Sequence, residues 1–273
     1  MNRLFVTCKP SGISSNRFLG SIKRRYGVKK AGFSGTLDPF ASGVLIVAFG
    51  QYTKLFRFLD KTPKRYRATL WLGAYSPTLD IEKVESVQSI MPFAPESIEI
   101  ASKGFLGDIE YLPPKYCAKK VDGKRAYALA RNGEDFELKK IKSTIYDFKI
   151  LHYCHPFLTF EIAISEGGYI RSIGSLLAKR FGFDGCLSSL ERLSEGRFVY
   201  DDERALNPLE YLNVPDNSYL GDMQDVELGR VLHVEMFEKK ERGIYKITSE
   251  GWFSVVEICE DNVKYLLNRI VTC

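Results

Sequence analysis

The sequence predicts a mixed α/β domain followed by a small β-rich module. Three observations carry that expectation. A capped amphipathic helix near the N-terminus precedes a wholly apolar run, Val44 to Phe49. Alternating strand patterns recur further along the chain. A polar linker, Asn213 to Asp225, then separates this part from a tail of short strands. With 273 residues and 45% apolar content, the chain suits one large domain, or one plus a small one.

Residues 3–8 read as a strand closed by Lys9-Pro10-Ser11-Gly12. Ser14 or Ser15 caps a helix running to Tyr26, with Phe18, Leu19 and Ile22 inward and Arg17, Lys23, Arg24 and Arg25 outward. Gly32 to Gly43 reads as a loop, and Val44 to Phe49 as a strand buried on both faces. Residues 51–60 read as helical. Tyr66 to Leu72 alternates as a strand should, with Tyr66, Ala68, Leu70 and Leu72 on one face. Gly73 to Glu85 is irregular, and 96–105 is a helix. Leu112-Pro113-Pro114-Lys115-Tyr116 is stiff and extended. Lys124 to Arg131 is a helix ended by Asn132-Gly133. Ile145 to Tyr153 and Leu158 to Ser165 are strands, and Tyr169-Ile170-Arg171 opens a helix after a Gly-Gly break. Residues 205–212 form a short helix. The tail strands are Tyr245 to Ile247, Trp252 to Cys259 and Tyr265 to Val271.

The net charge is only +5, but lysine and arginine cluster at residues 23–25, 29–30, 64–65, 115–125 and 139–142. Such clusters suit a polyanion or a solvated face. The six cysteines are scattered without a Cys-x-x-Cys pair, as expected of reduced thiols in a cytoplasmic protein. His152, Cys154 and His155 do not suffice for zinc, because strand neighbours point to opposite faces and a structural site wants four convergent ligands. No apolar run approaches a membrane span.

Two charged residues stand at similar places. Asp38 lies in a glycine-rich turn before a buried strand, and Pro39 keeps it out of the helical region. Arg171 follows a strand and a Gly-Gly break. If both strands share a sheet, carboxylate and guanidinium reach one cleft, where the cation favours the ionised acid. Tyr66 and Tyr169 are positioned to line it. The glycine-rich segment is not a phosphate-binding Walker loop, because its Gly-Lys-Ser/Thr ending is missing.

Gly32-Phe33-Ser34-Gly35-Thr36-Leu37-Asp38-Pro39-Phe40-Ala41-Ser42-Gly43 resembles the catalytic motif of the TruB family of pseudouridine synthases. The resemblance continues in order through Lys9-Pro10-Ser11-Gly12, Lys64-Arg65-Tyr66, the loop Gly73 to Asp80, and Pro113 to Lys120. It ends with Gly168-Tyr169-Ile170-Arg171-Ser172 and Leu190-Glu191-Arg192-Leu193. It implies an α+β fold with a largely antiparallel central sheet flanked by helices. The catalytic domain would span 1–215, with an RNA-contacting insertion at about 108–142, and a small PUA-like RNA-binding module would span 222–273. It implies isomerisation of a T-loop uridine in transfer RNA, without cofactor or metal, by a monomer needing no protein partner. It further implies Asp38, Tyr66 and Arg171 as catalytic residues, and Lys9, Phe33, Lys64, Asp80, Lys119, Tyr169 and Leu190 as substrate-binding ones. The chain departs from the family at Phe33, where histidine is usual. Phenylalanine can stack or wedge but donates no hydrogen bond.

Other classes remain to be distinguished. They are a relative acting on another RNA, an RNA-binding or RNA-folding module, and a glycoside hydrolase. The last would want two opposed carboxylates, for which only Asp38 and Asp80 are candidates.

Overall fold

The computed structural model describes residues 1–272; Cys273 lies outside the described residues. β1 (Arg3–Lys9) leads into α1 (Ser15–Arg25), β2 (Ala31–Ser34) and β3 (Ser42–Phe49). β4 (Lys64–Leu72) follows, then a small hairpin of β5 (Ala74–Tyr75) and β6 (Ser86–Val87), α2 (Pro95–Lys103) and β7 (Gly107–Tyr111). A two-stranded arm, β8 (Lys120–Val121) and β9 (Lys124–Arg125), precedes α3 (Ala126–Arg131). β10 (Ile141–Cys154), β11 (Phe157–Ile164), α4 (Ile170–Arg180) and β12 (Gly185–Glu195) complete the larger part. α5 (Met223–Leu228), β13 (Gly243–Ser249), β14 (Trp252–Ile258) and β15 (Val263–Val271) make up the tail.

The main sheet runs β1-β3-β12-β4-β11-β10-β7, with β2 also paired to β3. Every pairing in it is antiparallel except β3 with β12. The fold is thus mixed α/β around a largely antiparallel sheet, with a three-stranded antiparallel sheet at the C-terminus. Ser14 caps α1, its side chain accepting a hydrogen bond from the Arg17 N–H, so the helix starts where the sequence expects. The apolar run of β3 is buried throughout because α1 covers one face and the C-terminal sheet the other. Phe5, Leu45, Val47 and Phe49 pack with α1, whereas Val44, Ile46 and Ala48 pack with Phe253, Val255 and Ile270.

The parallel contact between β3 and β12 is short, Glu191 opposite Ser42 and Arg192 opposite Gly43. Gly43 has φ +104°, and a Cβ there would stand 2.2 Å from the Arg192 carbonyl oxygen. Only glycine lets β12 approach so closely. On its other edge β12 places Arg192 opposite Tyr66 and Leu190 opposite Ala68. One row, Gly43–Arg192–Tyr66–Ile162, therefore crosses the sheet from β3 to β11.

Some elements differ from the sequence reading. β12 is absent from it, because irregularities in register between Leu187 and Ser189 and between Arg192 and Ser194 erase the period-two pattern. The helix expected over 51–60 is a short 3-10 turn, Gly50–Lys54. The one at 205–212 shrinks to Pro208–Glu210. Both segments are drawn out by the bridge between Leu59 and Leu212 and the bond from the Asn213 N–H to the Phe58 carbonyl. Ala31–Ser34, read as loop, pairs with β3.

Candidate active site

The site lies where β3 begins, where α4 begins, and on the faces of β4 and β12 between them. α4 is held against the sheet by Ile173, Leu177 and Ala178, all fully buried, in one core with Leu70 and Leu187. This fixes its first turn, where Arg171 sits. A cation at a helix N-terminus is unfavourable to the helix dipole, so Arg171 needs compensation. Two carboxylates supply it. Asp38 Oδ2 lies 2.9 Å from Arg171 Nε, and Asp80 Oδ2 lies 3.2 Å from Nη1. Nη1 also donates to the Thr78 carbonyl at 2.7 Å, and Nη2 donates to the Tyr116 carbonyl at 3.0 Å. Asp80 is in turn fixed by the Thr78 hydroxyl and the Glu82 N–H, both donating to its Oδ1. The Nε contact is an ion pair rather than a directed hydrogen bond, since the N–H is not aligned with the carboxylate.

Asp38 and Arg171 line two adjoining chambers, which also share Thr36, Leu37 and Ala118. The first, about 260 Å³, is lined by Asp38, Lys64, Tyr66, Tyr169, Arg171 and Leu190, among others. The second, about 310 Å³, extends to Ser14, Ser15 and Asn16 at the N-terminus of α1 and to Tyr127 and Arg131 of α3. The Asp38 side chain keeps a third of its surface open, whereas Arg171 and Asp80 are each 3% exposed. Burial pushes the Asp38 carboxyl above its usual pKa and the nearby Asp80 charge pushes the same way, while Arg171 opposes both. The upward direction prevails because burial is the largest of these effects. Burial also raises the Tyr169 phenol, with the adjacent Cys117 and Asp38 adding to it.

A second buried ionic group supports the turn that carries Asp38. Glu195, wholly buried, pairs with Lys64 at 3.1 Å and with Arg192 at 2.8 Å. Arg192 donates from Nη2 to the Gly35 carbonyl and from Nε to the Val44 carbonyl, both at 2.8 Å. It thus grips the turn at both ends. Gly35 has φ +63°, and a Cβ there would meet Lys64 Nζ at 2.8 Å. The sequence signal for this group was Leu190-Glu191-Arg192-Leu193, of which only Leu190 was singled out as a site residue.

The structure gathers Asp38, Tyr66, Arg171, Lys64, Tyr169 and Leu190 around one chamber and sets Asp80 behind Arg171. Lys9, Phe33 and Lys119 do not line it. Lys9 is completely buried, its Nζ donating to the carbonyls of Pro10, Ile13 and Pro39. It braces the residue after Asp38 from beneath. Burial lowers its pKa to about 8, with Asp38 acting upward and Arg192 downward. Phe33 packs with Phe18, Leu19 and Val47 in the cluster under α1. Lys119 lies on the arm, its carbonyl accepting from the Ala126 N–H. Among the described residues, no group of three or more His, Cys, Asp or Glu side chains could hold a metal ion. His155 instead bonds the Tyr153 hydroxyl and the Ile90 carbonyl.

A carboxylate held by a guanidinium in an aromatic chamber can act as a nucleophile or stabilise a developing cation. Residues 23–170 match the family model described as the TruB family pseudouridylate synthase N-terminal domain. The chain belongs to the TruB family of pseudouridylate synthases. A protein of Campylobacter curvus named tRNA pseudouridine synthase B is 54% identical over 273 residues, covering 100% of both chains. One of the same name from Sulfurovum sp. is 55% identical over 270 residues, covering 99% of this chain and 98% of that one. Among solved structures, a chain of a Cbf5-Nop10-Gar1 complex has a TM-score of 0.68 at 19% identity, covering 98% of this chain and 83% of that one. That likeness extends the shared fold of this TruB-family chain to its C-terminal sheet. No helix among the described residues is long and apolar enough to cross a membrane.

Proposed function

We propose that this pseudouridylate synthase isomerises a T-loop uridine in transfer RNA, acting alone and without a cofactor, with Asp38 as nucleophile. The observation that carries this reading is the Asp38–Arg171–Asp80 array beside a chamber walled by Tyr66, Tyr169 and Leu190. The name borne by the half-identical relatives supports transfer RNA as the substrate.

In the reaction the N1–C1′ bond breaks and the uracil turns. C5 then bonds to C1′, the C5 proton leaves and N1 gains a proton. Nothing is oxidised and nothing is added, so the chemistry requires no redox partner. Asp38 supplies an electron pair to the sugar or the base while the glycosidic bond is open. Arg171 orients it. Tyr66 and Tyr169 hold the loosened ring, Leu190 keeps it from escaping, and the Tyr66 hydroxyl takes part in removing the C5 proton. The target must leave its stack, at a cost of a few kcal/mol that is smaller in a loop. Phosphate contacts from the arm, with Lys115, Lys119, Lys120, Lys124 and Arg125, offset that cost. The C-terminal sheet, 222–273, adds RNA-binding surface.

The test is tritium release from an unmodified transfer RNA transcript labelled at uridine C5, with the product position mapped. Release from the T-loop uridine by the native chain and not by Asp38→Ala is expected. Tight, salt-sensitive binding with no release would overturn the reading in favour of an RNA-binding module.

A further inference from the structure

Lys64 lines the chamber beside Arg192, and both are buried. Glu195, wholly buried, pairs with Lys64 at 3.1 Å and with Arg192 at 2.8 Å. Two cations thus share one carboxylate, and the group keeps a surplus positive charge. Glu166 does not cancel it. That carboxylate lies 3.9 Å from Lys64 Nζ, is half exposed, and is paired with Lys61 at 3.2 Å. The group around Arg171 has the opposite balance, one cation against Asp38 and Asp80. The wall of one chamber therefore carries two ionic groups of opposite surplus.

A buried charge is costly unless something pairs with it. Arg192 has a structural use, because it donates to the Gly35 and Val44 carbonyls. Lys64 has no such contact. Its Nζ makes ion pairs but no hydrogen bond among the described residues, so its three N–H donors are uncommitted. Lys64 also precedes Tyr66 by two residues on the same buried face of β4, about 7 Å along the strand. A ring held against Tyr66 brings its polar edge toward the ammonium.

Uridine isomerisation separates charge in the same sense. When N1–C1′ breaks, its electron pair leaves with the uracil, which becomes an anion with charge spread over N1, O2 and O4. C1′ becomes electron-poor and takes a pair from the Asp38 carboxylate. C5 then bonds to C1′ with a pair from the ring, and the pair lent by Asp38 returns to it. The C5 proton leaves and N1 gains a proton.

Resting on the reading of the chain as a uridine isomerase, we propose that Lys64 is a further catalytic residue, whose ammonium pairs with the uracil anion while the base is detached. The cationic group serves the departing base as Asp38 serves the sugar. Glu195 holds the ammonium in place and leaves it charge to spare. The uracil of the bound substrate is neutral, so the contact strengthens only as the bond breaks and acts on rate rather than on affinity.

The experiment compares the native chain with Lys64→Met in single-turnover isomerisation of a transfer RNA transcript. The variant leaves Arg192 and Glu195 as a matched pair, and circular dichroism checks that it folds; Lys64→Gln takes its place if it does not. The rate is expected to fall about a hundredfold, the usual loss for one such donor. RNA affinity and its salt dependence should stay as they are. A transcript with 5-fluorouridine at the target gives a second reading, followed as loss of that nucleoside after nuclease digestion. Fluorine stabilises the uracil anion, so the same variant should lag the native chain by only about tenfold. A native-like rate in the variant overturns the inference. A loss confined to affinity, with a shallower salt dependence, also overturns it and makes Lys64 a phosphate contact. Equal deficits with the two bases overturn it in favour of a structural role. Failure of the native chain to isomerise the transcript sinks the underlying reading instead.

Discussion

Nε of Arg171 stands 2.9 Å from the Asp38 carboxylate while the same guanidinium holds Asp80 at 3.2 Å, so the cation is divided between two acids. The two acids differ in exposure. Asp80 is buried and fully engaged with Thr78 and Glu82, whereas Asp38 keeps an open face toward the chamber. Asp80 therefore sets the guanidinium, and the guanidinium sets Asp38.

Arg171→Lys should be far from conservative. Arg171 reaches Asp38, Asp80 and the carbonyls of Thr78 and Tyr116 with a planar fork. A lysine is a point charge and satisfies part of this set. We expect kcat to fall about a hundredfold or more with a small change in KM, because the loss lies in orientation rather than RNA grip. Single-turnover kinetics separate these effects. An unchanged kcat would remove Arg171 from the mechanism.

The pH profile should carry the mark of Asp80. As the proposed nucleophile, Asp38 would have to be ionised, and its pKa is raised above the ordinary carboxylate value, by burial first and by the Asp80 charge as well. The acidic limb of kcat/KM is then expected above about pH 4. Asp80→Asn removes one negative neighbour and keeps the shape, so the limb should move to lower pH, whatever happens to the plateau. A limb that stays in place would show that Asp38 is not the group titrating.

Much of this site was legible in the sequence, and the reasons are local. The glycine frame around Asp38, the alternation through Tyr66 and the Gly-Gly break before Arg171 each report backbone needs that only a few residue types meet. Asp80 was readable as a site residue through the family resemblance. Its link to Arg171 was not, because 91 positions separate them and no periodicity spans that distance. Lys9 and Phe33 show the converse. Both sit in motifs that match the family, yet the fold puts Lys9 beneath the turn and Phe33 under α1. β12, between β3 and β4, escaped notice because its bulges break the alternation that marks a strand.

Gly43→Ala tests the junction of β3 and β12. The residue is in the left-handed region and a Cβ would collide with the Arg192 backbone. Backbone cannot yield as a flexible side chain does, so a loss above about 3 kcal/mol is expected. At roughly 2–4 °C per kcal/mol for a chain of this size, the melting temperature should drop by about 6 °C or more. Thermal unfolding followed by circular dichroism reads this directly, and a variant as stable as the native chain would contradict the close approach.

Lys9→Met separates bracing from substrate binding. Its Nζ donates to three carbonyls in a fully buried position, and none of these contacts faces the chamber. Methionine fills similar volume but leaves acceptors unpaired, at about 1–3 kcal/mol for each one that finds no water. A lower melting temperature with reduced kcat is expected, as the turn carrying Asp38 loosens. RNA affinity at equilibrium should be nearly unchanged, and a large loss of affinity alone would return Lys9 to the substrate-binding set.

Asp38→Asn should be inactive and yet more stable than the native chain at neutral pH. The sign follows from linkage. Asp38 has its pKa raised on folding, so between the unfolded and folded values the folded chain binds more protons. Stability contributed by the protonated form is present at low pH and is lost as pH rises through the folded value. At neutral pH the ionised carboxylate is therefore held in place at the expense of the fold. Asparagine has the same shape without the charge, and Asp80 still pairs with Arg171. The stability gain of the variant should be largest near neutrality and should shrink as pH falls into the carboxylate range, where the native acid is protonated too. Denaturant titrations of both chains at several pH values test this. A variant less stable at neutral pH, with the gap closing in acid, would mean that Arg171 outweighs burial and that Asp38 is stabilised as an anion in the free enzyme.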